Sequence, residues 1–184
     1  MSALTSFTSE RLYVRPIETS DLDALLEYQS DADVVRYVPW PVRNRAMVAE
    51  AITKYQSLTT FETEGDYLMV ALCRKEDDQL IGQLNAMYRS IVNRSGEFGY
   101  VLNPRFGGNG YATEGVAALI TSLFDTGKFH RLFAKMDARN SASKALCERL
   151  ALRHEAHFIE DEWFKGEWTS TYIYSILRSE WKPR

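Results

Sequence analysis

The spacing of apolar residues changes period repeatedly along the chain, and each change marks an element. Residues 12–17, Leu-Tyr-Val-Arg-Pro-Ile, read as a first strand. Pro16 has no amide to donate, which suits an edge or a strand end. Ser20 with Asp23 three residues on, and Leu22, Leu25 and Leu26 on one stripe, predicts a helix capped by Ser20. Pro39-Trp40-Pro41 closes the short segment that follows. Met47, Val48, Ala51, Ile52 and Tyr55 recur at helical spacing and predict a second helix over 44–58. The period then drops to that of strands, at 67–73, 80–89 and 97–102, with a polar turn at 75–79. Val116, Leu119, Ile120, Leu123 and Phe124 place a helix over 111–126, with Gly127 as its C-cap. A strand at 132–136, a helix at 141–150 and two strands at 154–163 and 168–177, turned at Lys165-Gly166, complete the chain. This order gives a mixed α/β arrangement with a strongly antiparallel middle.

Composition adds bounds. The 184 residues suit one domain, 1–184, large enough to bury a core without metal or disulfide help. Apolar residues at 45% and charged residues at 26% exclude disorder and collagen-like structure. Lys plus Arg is 22 against 25 for Asp plus Glu, a net charge of −3, which argues against nucleic-acid or anionic-membrane partners. Cys73 and Cys147 form no C-x-x-C pair and lie in apolar stretches, so two buried, reduced thiols are expected. Residues 1–7 lack a basic n-region and no window approaches a membrane span, so the expected compartment is the cytoplasm.

The chemistry concentrates in Asn103-Pro-Arg-Phe-Gly-Gly-Asn-Gly-Tyr-Ala-Thr-Glu114, between a predicted strand and a predicted amphipathic helix. Its glycines free the backbone to turn with φ > 0, so that successive amides can converge on one point. The following helix adds its dipole and orphan donors, and Arg105 a cation. That is a recipe for holding a phosphate; a glycine-rich turn that merely starts a helix is the plainer alternative. The dinucleotide fingerprint fails because Thr113 stands where its third glycine belongs, and no G-K-S/T triplet exists for a Walker A motif.

Arg105-x-x-Gly108-x-Gly110 does fit another pattern. It resembles the acetyl-CoA pyrophosphate loop of the GNAT family (GCN5-related N-acetyltransferases), Gln/Arg-x-x-Gly-x-Gly/Ala. Glu97-Phe-Gly-Tyr100, Gly110-Tyr-Ala-Thr-Glu114, Thr8-Ser-Glu-Arg-Leu12 with Arg15-Pro16, and Asn140-Ser-Ala-Ser143 resemble the branch that includes the ribosomal-protein N-terminal acetyltransferases, the RimJ/RimL-like proteins. The resemblance spans nearly the whole chain. It implies an α/β GNAT fold, a mixed and mostly antiparallel twisted sheet of about seven strands flanked by helices. It also implies acetyl-CoA as cosubstrate, with no metal. Phe98, Tyr100, Val101 and Leu102 would then hold the pantetheine arm by backbone hydrogen bonds. Amides of Gly107, Gly108, Asn109, Gly110, Tyr111 and Ala112 would take the pyrophosphate, with Arg105 and Thr113 in the same binding set. The strand at 132–136 would splay from its neighbour to open an acyl slot, and Asn140 would touch the pantetheine arm. One departure is Leu150-Ala-Leu152, where the family has Leu-Gly-Phe or Leu-Gly-Met. A positive φ at Ala151 would cost up to about 1 kcal/mol, so a reshaped helix end is expected.

Acyl transfer to an amine needs the neutral amine. At pH 7 only about 0.04% of a lysine-like amine and about 14% of an α-amine are neutral, so a carboxylate base helps either acceptor. Glu162, within Glu160-Asp-Glu-Trp163, aligns with the proposed base of the ribosomal enzymes and is preferred to Glu97, which opens the strand beside the slot. The alternatives are a paired structural carboxylate for Glu97 and a solvated strand edge for the acidic run. By the resemblance Ser143 would bind the cofactor and serve as the acid or thiolate partner; otherwise it is a first-turn helix residue bonded to backbone. Tyr100, Trp40 and Trp163 are acceptor-site or core aromatics. His154, Glu155 and His157 are declined as a metal site, since neighbours three apart on a strand face opposite ways and no third ligand is near. The expected function is acetyl transfer to a primary amine, a protein N-terminus or a small molecule, with a homodimer left open. A catalytically silent acyl-CoA sensor and an unrelated nucleotide-binding α/β protein are the competitors.

Overall fold

Every residue from Leu68 to Cys73 is buried, so this strand must be covered on both faces. Alternation then sends Leu68, Val70 and Leu72 into one core and Met69, Ala71 and Cys73 into another. The computed structural model describes residues 5–58 and 61–183. In chain order its elements are β1 (Phe7–Thr8), β2 (Leu12–Pro16), α1 (Leu22–Gln29), α2 (Arg45–Gln56), β3 (Tyr67–Arg74), β4 (Leu80–Ser90), β5 (Ser95–Leu102), α3 (Tyr111–Asp125), β6 (Arg131–Asp137), α4 (Ser141–Arg149), β7 (Arg153–Phe164) and β8 (Glu167–Leu177). The strands form one eight-stranded sheet in the order β1-β2-β3-β4-β5-β6-β8-β7. Every pairing is antiparallel except β5 with β6.

One face of the sheet packs Val116, Leu119, Ile120 and Leu123 of α3 with Leu146 and Cys147 of α4. The opposite face packs Leu25 and Tyr28 of α1 with Val48, Ile52 and Tyr55 of α2. Beneath α1, Gln83 of β4 accepts from Tyr28 Oη (3.0 Å) and Gln29 Nε2 (2.8 Å), which satisfies polar groups that would be costly to bury alone.

Several sequence expectations need correction. The sheet of about seven expected strands has eight, the added one being β1, whose two residues are too few to show a period. Ser20 does not cap α1. Instead Asp21 accepts from the Glu18 amide (2.8 Å) and from Arg15 Nη1 (2.7 Å) and Nη2 (2.6 Å), so a buried carboxylate closes the capping box of the 3-10 turn Thr19–Asp21 that leads into α1. Asn44 caps α2 from the Met47 amide (3.0 Å), as the start of that predicted helix requires. Thr126 is the C-cap of α3, and Gly127, at φ 75°, is the left-handed residue that follows it. The end of α4 is not reshaped: Ala151 takes φ 58°. Its amide donates to Glu148 O (2.9 Å) and the Leu152 amide to Cys147 O (3.0 Å), the paired bonds of a Schellman motif, with Leu152 buried beside Leu146.

Both cysteines are buried and free. A bulge between His154 and Ala156 puts His154 and His157 on the same face after all, and both rings pack on Tyr172. Among the described residues no group of metal-ligating side chains converges there or elsewhere, and no helix is long and apolar enough to cross a membrane.

Candidate active site

β5 and β6 pair only at Ser95–Arg131, Gly96–Leu132 and Glu97–Phe133. Beyond Glu97 the two strands part, while β5 stays paired to β4 as far as Leu102 and β6 stays paired to β8 as far as Asp137. The result is a wedge-shaped slot in the middle of the sheet. Its walls are Phe98 to Leu102 on one side and Ala134 to Asp137 on the other. Phe98, Tyr100 and Leu102 face α3 and α4; Val101 faces α1 and α2.

The glycine loop closes the head of the slot. Asn103, buried, accepts from the Arg105 amide (3.0 Å) and starts a 3-10 turn over Pro104–Phe106. Gly107, expected among the phosphate donors, has its amide on Pro104 O (2.8 Å). Gly108 and Gly110 take φ 78° and 79°, the left-handed region that other residues pay to enter. Among the described residues, the backbone amides from Gly108 to Thr113 meet no acceptor in the chain. A Cβ on Gly108 would find nothing within 4 Å. Arg105 is exposed and turned away; it lies against the Phe106 ring, with Nη1 3.7 Å from Glu27 Oε1. A cation does reach the helix start from α4: Arg149, whose Nε is 3.3 Å from Thr113 Oγ1. Its position at the last turn of a predicted helix gave no sign of this, because α3 and α4 meet only in the fold.

Acid and base candidates stand on opposite faces of the slot. On the α4 side, Tyr100 Oη lies 3.4 Å from Ser143 Oγ. Burial pushes the Tyr100 phenol above its usual range and outweighs the Ser143 hydrogen bond, so Tyr100 stays a proton-bearing donor. Asn140 caps α4 by accepting from the Ser143 amide (3.0 Å), which keeps its Nδ2 side for a ligand. On the α1–α2 side, Glu162 reaches across β8 to β6, where Lys135 Nζ donates to its Oε2 at 2.8 Å. Both groups are partly exposed, so this pair is worth at most about 1 kcal/mol and opens readily. Glu97 is held harder: Arg89 donates to its Oε2 from Nε (2.8 Å) and Nη2 (2.5 Å), and its side chain is only 21% exposed. Trp163 is not core; it is 61% exposed and packs edge-on against Trp168. Trp40 packs under the Arg43 guanidinium, 4.8 Å from the ring centroid. Lys165, at the β7–β8 tip, donates to Val35 O (2.6 Å) and Trp40 O (2.9 Å), and so ties the hairpin that carries Glu162 to the segment before α2.

Residues 11–153 match the acetyltransferase (GNAT) domain family. The chain belongs to the GNAT family. It is similar to the uncharacterized N-acetyltransferase YnaD of Bacillus subtilis (strain 168), at 29% identity over 95% of this chain and 98% of that one. The crystal structure of a GNAT-family acetyltransferase from Bacillus anthracis superposes with a TM-score of 0.84 at 27% identity, covering 95% of this chain and 99% of that chain. RimL, the ribosomal L7/L12 alpha-N-protein acetyltransferase solved in complex with coenzyme A, shares the fold at a TM-score of 0.79 and 21% identity, over 92% of this chain and 95% of its own. A GNAT chain with an open slot and a loop of unpaired amides at its head has the framework of an acetyltransferase.

Proposed function

We propose that the protein transfers an acetyl group directly from acetyl-CoA to a primary amine, of a protein N-terminus or a small molecule. The observation that carries this reading is the run of unpaired amides from Gly108 to Thr113 at the head of the slot between β5 and β6. Oriented backbone donors at a helix start suit a pyrophosphate, and unpaired strand edges suit an amide-bearing pantetheine arm, so the residues present fit CoA. RimL, with the same fold, is solved with CoA. When bound, acetyl-CoA supplies the activated thioester.

The residues divide the proton work by face. Glu162 exchanges Lys135 for an incoming ammonium and takes its proton, which leaves the neutral amine whose lone pair forms the N–C bond as the C–S bond breaks. Tyr100 and Ser143 present an O–H on the α4 side, where the departing sulfur needs a proton. Asn140 and the loop amides orient the donor; Arg149 adds charge for its phosphates. Ala151 keeps the left-handed turn at the end of α4, so no deformation there favours a silent acyl-CoA sensor.

The test is a pH–rate comparison of Glu162→Gln and Ser143→Ala with acetyl-CoA and a panel of amines, alongside calorimetric CoA binding. Acid–base groups contribute about 10²- to 10⁴-fold. Glu162→Gln should lose most at low pH and recover as free amine accumulates, whereas the Ser143→Ala loss should persist at high pH. A pH-dependent loss in Glu97→Gln but not in Glu162→Gln would move the base to β5.

A further inference from the structure

Two stretches far apart in the sequence, Thr8-Ser-Glu-Arg-Leu12 and Gly110-Tyr-Ala-Thr-Glu114, meet behind the glycine loop. The Arg11 amide donates to Glu114 Oε1 (2.7 Å), and its Nε and Nη2 each lie 2.7 Å from Oε2. Ser9 Oγ donates to the same Oε1 at 2.7 Å. Arg11 Nη1 then donates to the backbone oxygen of Asn109 at 3.1 Å, while its guanidinium rests 4.7 Å from the Tyr111 ring centroid.

The Asn109 contact matters because a trans peptide is planar, with its C=O and N–H pointing in opposite directions. Holding Asn109 O toward Arg11 turns the Gly110 N–H the other way, away from the guanidinium. Gly110 lies at φ 79°, and glycine puts up little resistance to rotation of that plane. Something outside the loop must fix it, and Arg11 is the group in contact. The second consequence is electrostatic. Glu114 is an anion in the first turn of α3, at the end of the helix that would receive phosphate. Burial works to raise its carboxyl, but the Arg11 amide, the Ser9 hydroxyl and the Arg11 guanidinium together hold it below the usual range. It is therefore charged, and Arg11 both neutralises it and keeps it off the helix amides.

We propose that Arg11, buttressed by Ser9 and Glu114, is a positioning residue for the phosphate loop: it sets the direction of the Gly110 amide and cancels a carboxylate that would otherwise repel the ligand. This rests on reading the loop as the seat of the CoA pyrophosphate.

The test compares the full-length chain with Arg11→Met and Arg11→Lys. CoA affinity is measured by calorimetry, and kcat/KM with acetyl-CoA and with S-acetylpantetheine, a donor without the pyrophosphate. Arg11→Met should raise the CoA Kd at least tenfold, about 1.4 kcal/mol. Its loss in kcat/KM should be at least tenfold larger with acetyl-CoA than with S-acetylpantetheine. Arg11→Lys keeps the charge opposite Glu114 and so holds the fold if the methionine variant does not; it lacks the fork that reaches Asn109 and should raise the Kd at least threefold. Unchanged Kd values, or equal losses with both donors, overturn the inference and leave the loop's function standing. A wild-type chain that does not bind CoA overturns both.

Discussion

Gly108→Ala tests the loop with the smallest possible change. An alanine Cβ there meets nothing within 4 Å, so no clash contributes and the whole cost comes from φ 78°. A left-handed alanine costs about 1–2 kcal/mol, which for a domain of this size lowers Tm by about 2–8 °C. If the loop relaxes to escape that strain, the amides from Gly108 onward lose their common direction. Ligand at about 100 times Kd stabilises a protein by about 2.7 kcal/mol, and a tenfold weaker Kd reduces this to about 1.4. Thermal melts with and without CoA should therefore show two separable effects in Gly108→Ala: a lower baseline Tm, and a CoA-induced rise cut to about half. Gly107→Ala is the control. Its φ of −63° carries no left-handed strain and its amide is already used, so whatever baseline loss comes from its Cβ crowding Pro104 O at 3.0 Å should leave the CoA-induced rise at its wild-type size. A CoA-induced shift in Gly108→Ala as large as in wild type would refute the reasoning and return the loop to the status of a turn.

Three further outcomes follow from groups away from the loop. Burial pushes the Cys73 thiol up to about 11 and that of Cys147 up to about 12, so neither is a nucleophile at neutral pH. Cys73→Ala and Cys147→Ala should both turn over, and a stable acetyl-enzyme in a mass spectrum would contradict direct transfer. Burial alone would raise the Glu155 carboxyl, but neighbouring Ser175, Arg131 and Arg153 hold it down to about 2 against a usual 4.5. A depressed carboxyl stabilises the fold above its unfolded value and loses that contribution as pH falls from about 4.5 towards about 2. The Tm gap between wild type and Glu155→Gln should close over that window; a constant gap would count against the argument. Ala151→Gly relieves about 1 kcal/mol or more of backbone strain but makes the unfolded chain more flexible, for a net gain of about 0.5 kcal/mol and a Tm rise of about 1–2 °C; a fall would show that the φ of 58° carries no strain.

What could be read in the sequence depended on the range of the interaction. Helical stripes such as Val116 to Phe124 and the buried strand at Leu68 to Cys73 are local periodicities, and the structure has them where the pattern put them. β1 was too short to carry a period. Ser20 was read as a cap because serine favours that position, but Arg15 recruits Asp21 from across the turn and the buried pair wins. The loop's glycines were legible because backbone conformation is local. The direction of Arg105, the Arg149 contact with Thr113 and the Arg11 clamp were not, since each depends on which elements the sheet order brings together. The Glu162–Lys135 pair is of the same kind: it exists because β8 lies between β6 and β7.

The sheet is a single layer, and its two faces meet different helices. The layer that meets α3 and α4 carries Tyr100 and Ser143, which in the proposed reaction serve the donor's sulfur; the layer that meets α1 and α2 carries Glu162 and Lys135, which would meet the acceptor amine. Because neighbours along a strand alternate between faces, a substitution at Lys135 would alter what reaches Glu162 and leave the Tyr100–Ser143 contact as it was. If the proposed division of tasks holds, the donor side and the acceptor side can drift independently within one scaffold. On that reading a lineage that keeps the loop, the parted strands and Glu162 could acquire a new acceptor by changes elsewhere in one layer.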